Sequence, residues 1–107
     1  MIAYGIYQTN INYKFLPWEI IESLFSIDDY NEVYEGKLAG ISESEADCHI
    51  LEKIFHKINA NPPRGLMDKV LSTGDVVEIK RKNEKRYYYR NILTWKRIDE
   101  PEESPFV

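Results

Sequence analysis

One apolar stripe in the middle of the chain constrains the fold more than any other feature of the sequence. Apolar side chains recur there at the spacing of one helix face, in Ile50, Leu51, Ile54, Phe55 and Ile58. Ser42 and Glu45 fit a capping box that would begin this helix, and the pair Pro62-Pro63 would end it. The sequence therefore predicts an amphipathic helix that must bury its stripe against another layer of structure.

Short β-prone segments before and after this helix supply that layer. Period-two alternation and turn residues predict strands over 2–8, 30–38, 76–80, 86–89 and 92–98, with a hairpin turn at 82–85. A second helix should begin near Pro17 and carry Ile20, Ile21, Leu24 and Phe25. We predict an α+β fold, a small antiparallel or mixed sheet of four to five strands with two helices packed on one face.

The 107 residues fit a single domain. We expect it to span 1–98, followed by an acidic, proline-broken, flexible tail at 99–107. No apolar run approaches the roughly 18 residues that span a bilayer, and the N-terminus lacks the basic and apolar regions of a signal peptide. A single cysteine excludes an intrachain disulfide and a multi-cysteine metal site, so a cytoplasmic location is the expectation.

The residues that could carry chemistry do not form a catalytic pattern. His49 and His56 are seven residues apart, about 10 Å along a helix, which is too far to share one metal ion without a third element of the fold. Cys48 directly precedes His49, and neighbouring helical side chains point in different directions. The carboxylate clusters and scattered glycines match no calcium loop or phosphate loop. We therefore predict no catalytic residue, no metal and no cofactor.

Charge divides the chain into two unlike parts. Residues 1–52 carry two lysines and ten carboxylates, whereas residues 53–107 carry twelve Lys or Arg and eight carboxylates. Eight of those cations fall within 80–97, among Tyr87, Tyr88, Tyr89 and Trp95. Basic and aromatic side chains together suit either a protein-docking face or a contact with single-stranded nucleic acid. The sequence pI of about 5.2 favours the docking face.

Five short motifs in order resemble one family. They are IYQ at 6–8, YNEVYEGKL at 30–38, LEKIFHKIN at 51–59, LSTGDVV at 71–77 and YY at 88–89. Together they resemble the YodL-like family, small domains of Gram-positive bacteria and their mobile elements. The chain departs from the family pattern at Ile58, where the family has Phe, and at Asp68, Val70 and Thr94-Trp95. These changes keep the core character but alter the linker surface.

The resemblance implies an accessory module of plasmids, phages and conjugative elements, with no catalytic residues and no cofactor. We predict a non-enzymatic protein-binding module, encoded by a mobile element, that inhibits a host defence nuclease in an anti-CRISPR or anti-restriction role. The alternatives are an inhibitor of the actin-like cell-shape machinery, a nucleic-acid binder through the basic hairpin 80–97, or a nucleic-acid mimic through the acidic N-terminal half. The predicted partner contacts are Arg64, Lys69, Arg81, Arg86, Tyr88 and Arg90.

Overall fold

Five strands form one antiparallel sheet in a computed structural model that describes residues 1–10, 16–66, 70–82 and 84–98. The strands are β1 (Ile2–Thr9), β2 (Tyr30–Leu38), β3 (Val76–Arg81), β4 (Glu84–Arg90) and β5 (Trp95–Arg97). The helices are α1 (Trp18–Ile21) and α2 (Asp47–Ala60), with a 3-10 turn at Ile27–Asp29. None of the helices in these ranges is long and apolar enough to cross a membrane.

The strand order is β2-β1-β3-β4-β5, so the N-terminal strand lies inside the sheet. β1 pairs with β2 on one side and with β3 on the other, and a bulge interrupts the β1–β2 register between Ile6 and Tyr7. β3 and β4 form the predicted hairpin, closed by the pair Arg81 and Glu84. The predicted α+β class, five strands and two helices are confirmed.

Both faces of the sheet are covered, each by different side chains of the same strands. On one face, here called the α2 face, the helix stripe Ile50, Leu51, Ile54 and Ile58 packs on the sheet. The sheet contributes Ile2, Tyr4, Ile6, Val77, Ile79 and Tyr88 to this core. The other face, the α1 face, buries Ile21, Tyr30, Val76 and Tyr89. Tyr88 therefore points opposite to Tyr87 and Tyr89, as the alternation of a strand predicts.

The two helices lie on opposite faces of the sheet, and not on one face as the sequence predicts. Ile21 and Trp18 pack with Val76 and Tyr89, while the next residues along those strands pack under α2. Because successive strand residues alternate in direction, the large side chains on the second face require a cover of their own, which α1 provides.

Three local predictions are also corrected. The predicted capping box is not formed: α2 begins at Asp47 after Ala46, and Ser42 Oγ accepts from Ser44 N in a preceding turn. α1 lasts only four residues, and the last strand narrows from 92–98 to Trp95–Arg97. The Ser42 hydroxyl stabilises a local turn and does not cap the helix, which is the competition expected of serine. The predicted tail, 99–107, lies outside the described residues.

Candidate functional site

The basic hairpin and the start of α2 meet at one carboxylate. Arg81 donates to Asp47 Oδ1 from Nη2 at 2.6 Å, and Arg86 Nη1 donates to Oδ2 at 2.9 Å. The Tyr88 hydroxyl donates to the same Oδ2. Arg81 also donates to the backbone carbonyls of Glu43 and Glu45, which fixes the turn that leads into the helix.

Asp47 is ionised by this arrangement over a wide pH range. Its side chain is only 10% exposed, and burial alone would raise its pKa. The hydrogen bonds from Tyr88, Arg81 and Arg86 outweigh burial and hold the pKa of Asp47 below its ordinary value. Burial and the bond to Asp47 raise the pKa of Tyr88, so the phenol stays protonated as a donor.

A second ion pair fixes the middle of α2 to the end of the sheet. Arg90 is 8% exposed and donates to Glu52 Oε2 at 3.2 Å, and Trp95 Nε1 donates to the same oxygen at 2.8 Å. The Arg90 guanidinium also lies 4.4 Å from the ring centre of Phe55 and 5.0 Å from that of Trp95. Arg90 is thus held on both its charged edge and its flat faces.

On the α1 face, one lysine lies close to three carboxylates. Lys80 Nζ contacts Glu35, lies 3.4 Å from Glu32 and lies 4.0 Å from Glu78. Glu78 is 1% exposed and accepts a hydrogen bond from the Tyr7 hydroxyl at 2.9 Å. Burial first, and then this bond, raises the pKa of Tyr7. A buried carboxylate is retained here because a hydroxyl and an ammonium group partly satisfy it.

The unequal charge of the two parts of the chain is partly neutralised by ion pairs that join them. Six of the eight cations in the hairpin segment 80–97 form ion pairs with described carboxylates, namely Lys80, Arg81, Lys85, Arg86, Arg90 and Arg97. Four of these cations pair with carboxylates of the acidic first part, at Glu32, Glu35, Asp47 and Glu52. The hairpin is a structural clasp as well as a charged surface.

A cleft opens between this clasp and the final turn of the sheet. We call it the α2–β5 cleft; it has a volume of about 460 Å³ and is lined by Asp47, Cys48, Leu51, Glu52, Tyr88, Leu93, Thr94 and Trp95. At its border the turn between β4 and β5 exposes two aliphatic side chains, Ile92 at 55% and Leu93 at 83%. A hydrogen bond from Asn91 N to Thr94 O closes this turn. The cleft thus combines an apolar floor, carboxylates at its side and a projecting apolar border.

The two histidines lie on the solvent face of α2. His49 is 3.4 Å from Glu45, and His56 is 3.9 Å from Glu52, each one helical turn away. Both imidazoles are more than two-thirds exposed, at 68% and 79%. Over the part of the chain that the structure describes, no three His, Cys, Asp or Glu side chains gather in a way that could hold a metal ion.

The predicted contact residues divide into three groups. Arg81, Arg86 and Tyr88 converge on Asp47, and Arg90 pairs with Glu52. Both carboxylates line the α2–β5 cleft, whereas of these four residues Tyr88 alone is part of its lining. Arg64 is exposed in the turn after α2, apart from these contacts. Lys69 lies outside the described residues.

Sequence reasoning missed Asp47, Glu52, Ile92 and Leu93. The sequence singles Asp47 out only as one of several clustered carboxylates, and its role is revealed by its two arginine partners, which are distant in the chain. The sequence predicts a strand over 92–98, which the structure narrows to Trp95–Arg97. The asparagine and threonine that flank Ile92-Leu93 were the available signal for a turn that exposes them.

Comparison with known proteins places the chain in a family. The model of the YodL-like domain matches residues 3–100, nearly the whole length. The chain belongs to the YodL-like domain family. The matched range contains both helices, β2 to β5 and all of β1 except Ile2, so the Asp47 and Glu52 clusters lie within the family domain. No curated protein and no solved structure matches this YodL-like chain.

Proposed function

We propose that this YodL-like domain is a non-enzymatic module that binds another protein in the cytoplasm and inhibits it. The observation that carries the proposal is the pair Ile92 and Leu93, exposed at the border of the α2–β5 cleft. A folded protein gains nothing by holding two adjacent large aliphatic side chains in water, and such groups beside a cleft are typical of a docking site.

The cleft offers a partner both apolar and polar contacts. An aliphatic or aromatic side chain of the partner would enter between Leu51 and Trp95 and cover Leu93. Arg90 and the indole of Trp95 are already fixed by Glu52, so the walls need little reordering on binding. A preorganised cleft of this kind supports tight binding by a small domain.

The ion pairs also bear on the nucleic-acid alternative. Phosphate binding needs cations that are available to the phosphates. Arg81 and Arg90 have side chains only 13% and 10% exposed, and each is paired with a carboxylate. The pattern of basic and aromatic residues that suggested nucleic acid therefore has a structural role, which supports the protein-binding function.

The class of target follows from the family and not from the geometry. Because YodL-like domains resemble accessory modules of mobile elements, the proposed targets are host proteins that act against those elements. A CRISPR or restriction nuclease is the first candidate, and the actin-like cell-shape machinery is the second.

Two leucines of similar exposure allow a matched capture experiment. Leu93 is 83% exposed beside the cleft, and Leu24 is 70% exposed on the α1 face. Immobilised wild-type protein, Leu93→Glu and Leu24→Glu would be incubated with a lysate of a Gram-positive bacterium, and retained proteins identified. We expect a stoichiometric partner with wild type that Leu93→Glu no longer retains.

The captured partner then decides the inhibitory part of the proposal. Its activity would be measured with wild-type protein and with Leu93→Glu, and inhibition by wild type alone is expected. Equal capture by the wild type and Leu93→Glu would contradict the site. A titration of oligonucleotides at low salt completes the test, since salt-sensitive binding there would favour the nucleic-acid alternative.

A further inference from the structure

A second apolar surface lies on the α1 face, away from the α2–β5 cleft. It is a groove of about 340 Å³ lined by Phe25, Ser26, Ile27, Tyr87 and Ile98, here called the α1 groove. Its size suits one or two large side chains and not an extended ligand. The groove is independent of Asp47 and Glu52, whose contacts lie on the other face of the sheet.

The wall of the α1 groove is held by aromatic packing. The Phe25 ring lies 5.0 Å from the Trp18 ring, 5.4 Å from that of Tyr30 and 6.0 Å from that of Tyr89. Tyr30 and Tyr89 are themselves buried. A ring fixed on three sides makes a preformed wall, so a bound side chain would meet a surface already in place.

Exposed aliphatic side chains extend this surface along the chain. Ile20 is 63% exposed, Leu24 is 70% exposed and Ile27 is 37% exposed. Ile20 lies within α1, whereas Leu24 and Ile27 follow its end at Ile21, where a hydrogen bond from Leu24 N to Ile21 O closes a turn. Within eight residues the fold thus buries Ile21 and leaves three other large aliphatic side chains in contact with water.

The segment of the chain that carries these side chains bears negative charges alone. Residues 16–36 contain six carboxylates and neither Lys nor Arg, at Glu19, Glu22, Asp28, Asp29, Glu32 and Glu35. Glu32 and Glu35 pair with Lys80. Glu19, Glu22 and Asp28 form no ion pair with a described residue. The exposed Lys85 and Lys96 belong to β4 and β5, and Lys85 pairs with the buried Glu78.

We propose that the α1 groove and its acidic border bind a basic amphipathic segment of a partner protein. An aliphatic side chain of that segment occupies the groove against Phe25, its neighbours cover Ile20 and Leu24, and its Lys or Arg residues lie beside Glu22 and Asp28. Charge complementarity selects a cationic segment over an anionic one. This inference rests on the proposed protein-binding function and assigns the chemistry of a second partner, bound at a second surface and distinct from the partner captured through Leu93.

A synthetic peptide tests the inference without the natural partner. The probe is an amphipathic peptide of leucine and lysine, about four helical turns long, and its control has glutamate in place of lysine. The protein carries Trp95→Phe, so that Trp18, one ring away from the groove, is the only tryptophan. Its emission reports binding, and far-UV circular dichroism confirms that each variant is folded.

Matched variants define the expected result. Leu24→Glu should weaken binding of the lysine peptide at least about tenfold, because a charged group replaces a buried leucine in the complex. Leu93→Glu, on the other face, should leave binding unchanged. Glu22→Lys should weaken binding about threefold or more, whereas Glu43→Lys, an exposed site in the turn that precedes α2, should not.

Three results would overturn the inference: equal binding of the lysine and glutamate peptides, equal effects of Leu24→Glu and Leu93→Glu, or equal effects of Glu22→Lys and Glu43→Lys. A change of Trp18 emission in peptide-free Phe106→Ala would also overturn it, by showing that the chain's own segment 99–107 occupies the groove. In each case Leu93 would still be needed to capture a partner from lysate. Failure of the inference about the α1 groove can therefore be told apart from failure of the proposed function.

Discussion

Substituting Asp47 by Asn tests the clasp between the hairpin and α2. The change keeps the size of the side chain but removes the charge that Arg81 and Arg86 share. The amide oxygen of the new asparagine can still accept hydrogen bonds. Its NH2 group is a donor and now faces other donors, with which it cannot pair. Arg81, with a side chain 13% exposed, would keep the backbone carbonyls of Glu43 and Glu45 but lose its carboxylate partner.

The size of the effect follows from the bonds lost. A hydrogen bond to a charged group contributes about 1.5–3 kcal/mol, and removing one member of a buried ion pair costs about 3–5 kcal/mol. Arg86 is 28% exposed and retains Glu84, which lowers its share. We therefore expect Asp47→Asn to lower the free energy of unfolding by about 3 kcal/mol, equal to roughly 10–20 °C in Tm.

The pH dependence has a definite sign. The pKa of Asp47 is lower in the folded protein than its ordinary value of 3.8, so folding favours the ionised carboxylate. Its contribution is complete above that value and is lost as pH falls through the folded pKa. The difference in stability between wild type and Asp47→Asn should thus be constant near neutral pH and shrink below about pH 4.

Urea unfolding followed by far-UV circular dichroism measures both quantities. Asp28→Asn serves as the control, because Asp28 is exposed in the 3-10 turn and its substitution should change stability by less than about 0.5 kcal/mol. A loss below about 0.5 kcal/mol for Asp47→Asn, or a difference that grows at low pH, would refute the clasp.

Three further substitutions test other contacts by urea unfolding. Gly65→Ala would push a methyl group into the Val33 carbonyl oxygen and should cost about 1–3 kcal/mol; an unchanged midpoint would contradict that close approach. Arg90→Met should cost about 1–3 kcal/mol through the loss of its bond to Glu52, and a neutral effect would mean that packing alone holds this end of α2. Ile54 is fully buried, so Ile54→Ala should lower the free energy of unfolding by about 2–5 kcal/mol, and a much smaller loss would contradict the packing of α2 on the sheet.

The features that were predictable depend on local spacing. The stripe of α2 and the alternation of β4 are properties of a few neighbouring residues, so the helix and the direction of Tyr88 followed from the sequence. The position of α1 did not, because Ile21 finds its cover in Val76 and Tyr89, more than fifty residues away. Packing between residues so far apart in the chain cannot be read from any short stretch of the sequence.

The candidate site was only partly predictable for the same reason. The sequence showed Arg81, Arg86, Tyr88 and Arg90 as a charged and aromatic group, but their partner Asp47 lies 34 residues before Arg81. Exposure was misjudged in both directions. Charged residues expected at the surface are paired within the fold, and the apolar Leu93, predicted to lie in a strand, is in solvent.

Hydrogen exchange of the captured complex tests the central claim most directly. Backbone amides of residues 91–95 and of the first turn of α2 should become protected when the partner is added to wild-type protein, because these segments border the α2–β5 cleft. Protection confined to the exposed turn around Arg64 or to the tip of the β3–β4 hairpin, with residues 91–95 unchanged, would contradict the account.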